Sequence, residues 1–165
     1  MSFWTTMKMK PNPRRNSNKE RGELQQKKGR APTKKWTREE EKMLAMSWCD
    51  ISEDQVKGKD QSKDQFWERI TARFCKGMKK SPTYRTHNQC NSKWANMNKV
   101  VMQFNGIYTN YYNQPRSGES KASILKKTKD TFHQDTNGAF KFEHVWELVR
   151  NNLKWLQLET LEKLG

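Results

Sequence analysis

The residues of this sequence that could do chemistry are mostly cationic, and many of them lie in a block without carboxylates. From Arg69 to Gly118 the chain carries nine Lys or Arg side chains and not one Asp or Glu. The 18 acidic residues of the chain, scattered at random, would rarely leave a gap of that length. Such a block predicts a surface that attracts anions, the alternative being a solvated basic face without a ligand.

Residues that could support catalysis or bind a metal do not form a recognisable set. The three histidines fall in separate predicted elements, and the glycines form no phosphate-binding loop. His87 and Cys90 are three residues apart, as two metal ligands could be, but no second pair lies nearby. We therefore expect no enzyme, no metal site and no cofactor.

The cysteines favour neither a disulfide framework nor a zinc site. Cys49, Cys75 and Cys90 are odd in number and form no CxxC pair, so we expect reduced thiols, with Cys90 as a small buried hydrophobe. No run of 18 apolar residues and no secretory signal occurs, which predicts an intracellular, soluble chain without a membrane span.

The elements that must position the basic block follow a polar N-terminal segment. Residues 1–35 contain 11 basic and 2 acidic side chains with almost no apolar periodicity, which predicts a disordered basic arm. Arg14 and Arg15 precede the run Lys27-Lys28-Gly29-Arg30 at the spacing of a two-part nuclear import signal.

Three helices are predicted after Trp36, because Ser or Thr is followed three residues later by Glu or Gln at three places. In this capping box each side chain binds a backbone N–H group that the helix itself leaves unpaired. The three boxes are Thr37 to Glu40, Ser62 to Gln65 and Thr86 to Gln89. Each precedes an apolar stripe at helical spacing, and the stripes of the three helices include Leu44, Trp48 and Ile51; Phe66, Trp67, Ile70 and Phe74; and Cys90, Trp94, Met97 and Val101.

The third stripe continues through Phe104 and Tyr108, which predicts one long helix running past Gly106. Two further stripes predict a fourth and a fifth helix, the fourth with Ile124, Leu125, Thr128 and Phe132 and the fifth with Phe142, Val145, Trp146, Val149 and Leu153. Residues 156–165 are either the end of the fifth helix or a fraying tail. We expect an all-α domain over residues 36–155.

Three segments, each with one tryptophan, resemble the helices of a Myb/SANT-like repeat of the plant trihelix type. They begin at Trp36-Thr37-Arg38, Phe66-Trp67-Glu68 and Arg85-Thr86-His87. The segment Phe140 to Trp146 looks like the closing helix of plant transposon-related Myb-like proteins, a group often mislabelled as glutathione transferases. The resemblance implies a three-helix, helix-turn-helix bundle with an extended third helix and one or two further C-terminal helices. Its core tryptophans would be Trp36, Trp67 and Trp94.

What the resemblance implies about function is double-stranded DNA binding by the third helix of a nuclear, transcription-factor-like or transposon-derived protein. The family's base-reading positions correspond to Asn88, Asn91, Ser92, Ala95, Asn96 and Lys99. Myb repeats typically place a Lys-Asn pair where this chain has Asn91-Ser92, so the Myb target sequence does not carry over. The expected phosphate contacts are Arg85, Lys93, Lys79, Lys80, Arg73 and Lys76.

A SANT-type protein-interaction module is the alternative function, because it shares the three-tryptophan core. A module that holds basic histone tails would favour an acidic third helix, whereas this one lies in the acid-free block. The C-terminal helices are the expected place for a homodimer contact or a partner protein.

Overall fold

Six α-helices account for all the regular structure in the described part of this computed structural model. The structure describes residues 34–54, 62–114 and 118–164. No strand occurs in these ranges, so the all-α prediction is confirmed. The helices are α1 (Arg38–Glu53), α2 (Lys63–Gly77), α3 (His87–Tyr112), α4 (Lys121–Thr136), α5 (Glu143–Val149) and α6 (Leu153–Leu164).

One compact unit, Trp36–Gly165, contains all six helices. The predicted basic arm and import signal lie outside the described residues, apart from Lys34 and Lys35. No helix within the described ranges combines the length and apolar character that crossing a bilayer requires.

The first three helices begin where the capping boxes predict. Thr37, Ser62 and Thr86 are the N-cap residues, and each makes both hydrogen bonds of the box. These contacts span only three residues, which is why the sequence alone locates the helix starts. Ser120 caps α4 by accepting a hydrogen bond from the backbone N–H of Ser123.

The first half of α3 packs in a bundle with α1 and α2. Trp48 of α1 stacks on Trp94 of α3, with ring centroids 4.8 Å apart. Trp67 is buried beside them, whereas Trp36 is only partly buried and packs against Phe74 at 5.4 Å. The three predicted core tryptophans are therefore all in the core or against it.

The second half of α3 packs against the C-terminal helices, which explains its length. Phe104 lies at the centre of an aromatic cluster, stacked on Phe140 at 3.8 Å and meeting Trp146 edge to face at 5.1 Å. Phe132 of α4 and Tyr108 complete the cluster. The prediction of one helix through Gly106 is confirmed, because a single 26-residue α3 serves both halves of the core.

The C-terminal region differs from the prediction of a fifth and last helix. The helix is interrupted between α5 and α6. There the side chain of Asn152 accepts a hydrogen bond from the Trp155 N–H at 3.1 Å and so caps a new helix. The predicted core position Leu153 is wrong, since this side chain is 75% exposed. Trp155, which the stripe did not include, is fully buried instead.

Two indole groups attach these last helices to α3. The Nε1–H of Trp146 donates to Asn105 Oδ1 at 3.0 Å, and the Nε1–H of Trp155 donates to Asn98 Oδ1 at 2.7 Å. Asn98 and Asn105 are seven residues apart on α3 and therefore lie on one side of it. The Trp146–Asn105 bond is buried and the Trp155–Asn98 bond is partly buried, and together they orient α5 and α6 as well as satisfying the polar groups.

Candidate functional site

The outward face of α3 consists of small and polar side chains. This face lies opposite the buried stripe because a helix turns through about 100° per residue. Five of its members are exposed, whereas Asn91 is partly covered. The six predicted base-reading residues are thus together on one surface: Asn88, Asn91, Ser92, Ala95, Asn96 and Lys99.

This surface extends further along α3 than the prediction did. Gln103 and Asn110 are exposed and continue the same face beyond Lys99. Gln103 and Asn110 are seven residues, or about two turns, apart. The sequence alone could have predicted both, since the same helical period aligns the earlier residues of this face. At about 1.5 Å per residue, the 26 residues of α3 span roughly 39 Å.

Eight of the nine cations of the acid-free block lie in the described residues, and they divide into those that bind a carboxylate and those that do not. Arg73 of α2 donates from Nε to Asp50 Oδ2 of α1 at 2.7 Å, and Arg69 contacts Asp54 at 2.5 Å. The acidic segment around α1 therefore neutralises part of the basic block. A local count of charge overstates the positive surface for this reason.

Arg85 is not a phosphate contact, and that prediction is wrong. Its side chain is 2% exposed and pairs with Glu40, whose own side chain is equally buried, at 2.8 Å. The guanidinium also lies 3.9 Å from the ring centroid of Trp36. Since DNA phosphates remain outside the fold, a cation enclosed in this way cannot reach them.

Lys93 is also engaged within the protein. Its Nζ lies 2.8 Å from Glu41 Oε2 and 5.2 Å from the ring centroid of Phe142. Glu41 accepts a second contact from His144 Nε2 at 3.1 Å, so one carboxylate connects α1 to both α3 and α5. Lys93 points towards α1 and α5, away from the outward face.

Four lysines of the block make no salt bridge within the described residues, namely Lys76, Lys79, Lys80 and Lys99. All four are exposed. The first three lie at the end of α2 or directly after it, and Lys99 lies on the outward face of α3. We call Lys76, Lys79 and Lys80 the lysine group.

The backbone fixes the position of Lys79 and Lys80. The N–H of Lys80 donates to the carbonyl of Cys75 at 2.9 Å, and the N–H of Lys79 donates to that of Lys76 at 3.0 Å. This pair of bonds is a Schellman motif, and it places Lys79 in the left-handed region at φ 57°, where glycine is usual. The turn thus presents two adjacent lysines between α2 and α3.

The cysteines are structural. All three are free thiols, and burial raises the pKa of Cys90 to about 11 and that of Cys49 to about 12. Such thiols stay protonated at neutral pH and are poor nucleophiles and metal ligands. The described residues also contain no group of three or more His, Cys, Asp or Glu side chains arranged to hold a metal ion.

Comparisons with known proteins identify the family of this chain. The family described as Myb/SANT-like DNA-binding domain matches residues 33–115. Two proteins of Arabidopsis thaliana named glutathione S-transferase T3 and T2 are 28% and 29% identical over 78% and 81% of the chain. The chain spans only 22% and 23% of their lengths. No solved structure matches the chain.

Proposed function

Because the chain belongs to the Myb/SANT-like DNA-binding domain family, we propose that the outward face of α3 enters the major groove of double-stranded DNA. The observation that carries this proposal is the exposed, carboxylate-free surface from Asn88 to Lys99. Asparagine can bind the edge of adenine with two hydrogen bonds, and serine can pair with several bases. Asn88, Asn91 and Asn96 therefore read bases, together with Ser92, Ala95 and Lys99.

The lysine group supplies the phosphate contacts. Lys76, Lys79 and Lys80 precede α3, and a helix N-terminus itself favours negative charge. Contacts to phosphate fix the position of the protein on the duplex but carry no sequence information. Arg73 reaches phosphate only if it leaves Asp50, and Arg85 makes no DNA contact.

The cellular role follows from DNA binding and from the N-terminal basic residues. We place the protein in the nucleus, as a regulator of transcription or a protein derived from a plant transposon. The import signal of residues 14–30 would carry it there, and the arm would add sequence-independent attraction to DNA. Blocking import by changing Lys27 and Lys28 to alanine tests the location.

The proposed function is binding and includes no catalytic activity. The transferase names belong to relatives of which this chain covers less than a quarter, and the matched segment includes the Myb/SANT-like domain. We extend no transferase activity to it. The SANT-type alternative is disfavoured because the outward face of α3 would repel a basic tail.

Selection from a randomised duplex library, followed by fluorescence anisotropy with the selected duplex, tests the proposal. Replacing Lys80 by glutamine should make log K against log salt shallower by about 1, because one fewer counterion is released. Lys126→Gln is the matched control, since Lys126 is an exposed lysine of α4. Asn96→Ala should relax the selected sequence at one position.

Two results would contradict this function. One is a binding constant that does not change with salt. The other is a selected sequence preference that survives the simultaneous replacement of Asn88, Asn91 and Asn96 by alanine.

A further inference from the structure

An open groove of about 510 Å³ lies between α6 and the pair α1 and α2. Its floor is formed by Trp48, Trp67 and Phe66, and its far wall by Leu158 and Leu161 of α6. Leu161 is 66% exposed, which is unusual for a leucine that faces other apolar side chains. The groove thus leaves apolar surface uncovered next to the core.

The shape of this groove suits a helix. Its walls are themselves helices, and no strand edge occurs in the described ranges to which an extended peptide could add. An amphipathic helix fills such a groove with apolar side chains at positions i, i+3, i+4 and i+7.

The charge of the groove selects the kind of helix. Lys63 of α2 and Lys154 of α6 line it, and no Asp or Glu is among its lining residues in the part of the chain that the structure describes. Neither lysine makes a salt bridge with another described residue. Carboxylates beside the apolar stripe of a partner would therefore meet two cations at the rim.

A second copy of this chain does not fit these charges. Each copy has a formal net charge of +15, so two copies repel one another at long range. A symmetric contact through the groove would also bring the rim lysines of both copies together.

We propose that this groove binds an acidic amphipathic helix of a partner protein. None of its lining residues belongs to α3, so the site is separate from the proposed DNA surface. A partner can then be held while α3 is on DNA. The proposal does not require that DNA binding occurs.

The probe is a synthetic helical peptide of about five turns, with leucine at i, i+3, i+4 and i+7 and mainly glutamate elsewhere. One control peptide has the same composition with the leucine positions scrambled, and another carries lysine in place of glutamate. The full 165-residue chain, labelled with ¹⁵N, is titrated with each peptide, with and without excess duplex DNA.

The glutamate peptide should shift the amide signals of Ile51, Phe66 and Leu158, and excess DNA should not displace it. Leu161→Glu should weaken its binding by about tenfold or more, since the bound peptide would cover the new carboxylate in the apolar wall of the groove. Leu153→Glu is the matched control, because Leu153 is an exposed leucine of α6 outside this groove. It should change the affinity less than twofold.

Four outcomes would overturn the proposal. They are absence of binding by the glutamate peptide, equal binding by either control peptide, displacement by DNA, and unchanged affinity in Leu161→Glu. A concentration-dependent dimer that Leu161→Glu dissociates, seen by sedimentation, would assign the groove to a second copy and overturn it as well.

Discussion

Glu40 performs two tasks at the start of α1. Its Oε1 accepts the backbone N–H of Thr37 at 3.4 Å in the capping box, and its Oε2 accepts from Arg85 Nε at 2.8 Å. The second contact joins residues 45 positions apart. One carboxylate thus links the start of α1 to the residue that precedes the N-cap of α3.

Breaking this pair should be costly. In Arg85→Met the Glu40 carboxylate stays buried without its cation, and we expect a loss of about 3 to 5 kcal/mol in the free energy of unfolding. Urea titration followed by circular dichroism measures it. Arg73→Met, which removes an exposed cation, should cost less than about 1 kcal/mol. A similar loss in both variants would contradict the difference in burial.

Lys79 offers a way to remove a DNA-facing charge without loss of stability. Its φ of 57° is a conformation that glycine adopts without strain, so Lys79→Gly should leave the unfolding free energy unchanged or raise it by up to about 1 kcal/mol. The slope of log K for DNA binding against log salt should become shallower by about 1. Lys80→Gly is the control, because it removes the same charge without relieving a left-handed backbone conformation. A Lys79→Gly variant less stable than the original protein would contradict the strain inferred at Lys79.

At the scale of the helix, α3 is continuous through a glycine that serves no packing need. A Cβ at Gly106 would meet nothing within 4 Å, and its φ is not positive. Gly106→Ala should therefore stabilise the protein by about 0.5 to 1 kcal/mol, because alanine loses less backbone entropy on entering a helix.

Gly118 is the matched control for this change. It too has open space around a Cβ, but its φ is +92°. Gly118→Ala should lower the melting temperature, whereas Gly106→Ala should raise it, as differential scanning calorimetry can measure. The reverse order would contradict the helical continuity of α3.

The position of α6 depends on one indole group. Trp155→Phe removes the donor to Asn98 and leaves a small cavity, so we expect a loss of about 1 to 3 kcal/mol. Thermal melting followed by circular dichroism measures it. Leu153→Phe changes an exposed residue of the same helix and should have little effect. If Trp155→Phe leaves the melting temperature unchanged, α6 frays and is not held by this bond.

At the scale of the whole molecule, the helical unit should fold without the basic arm. All six helices lie within Trp36–Gly165. A chain that starts at residue 34 should therefore keep its helical content and cooperative melting, measured by circular dichroism. It should bind DNA with a shallower salt dependence, since it lacks most of the 11 basic residues of positions 1–35. Loss of cooperative melting would contradict the independence of the helical unit.

The sequence by itself determined what depends on neighbours three or four residues away. The starts of α1, α2 and α3 follow from capping boxes, and the buried stripe of α3 from Cys90 to Tyr108 follows from helical period. The opposite face of α3 is exposed for the same reason, which is why the proposed base-reading residues lie together.

Only the tertiary structure decided which charges and which tryptophans face inwards. Arg85 is as basic as Lys80 in the sequence, but Glu40, 45 residues away, draws it into the core. Trp155 is buried, and its indole donates to Asn98, 57 residues away. Contacts of such separation depend on how the helices assemble, and no local pattern of residue types encodes them.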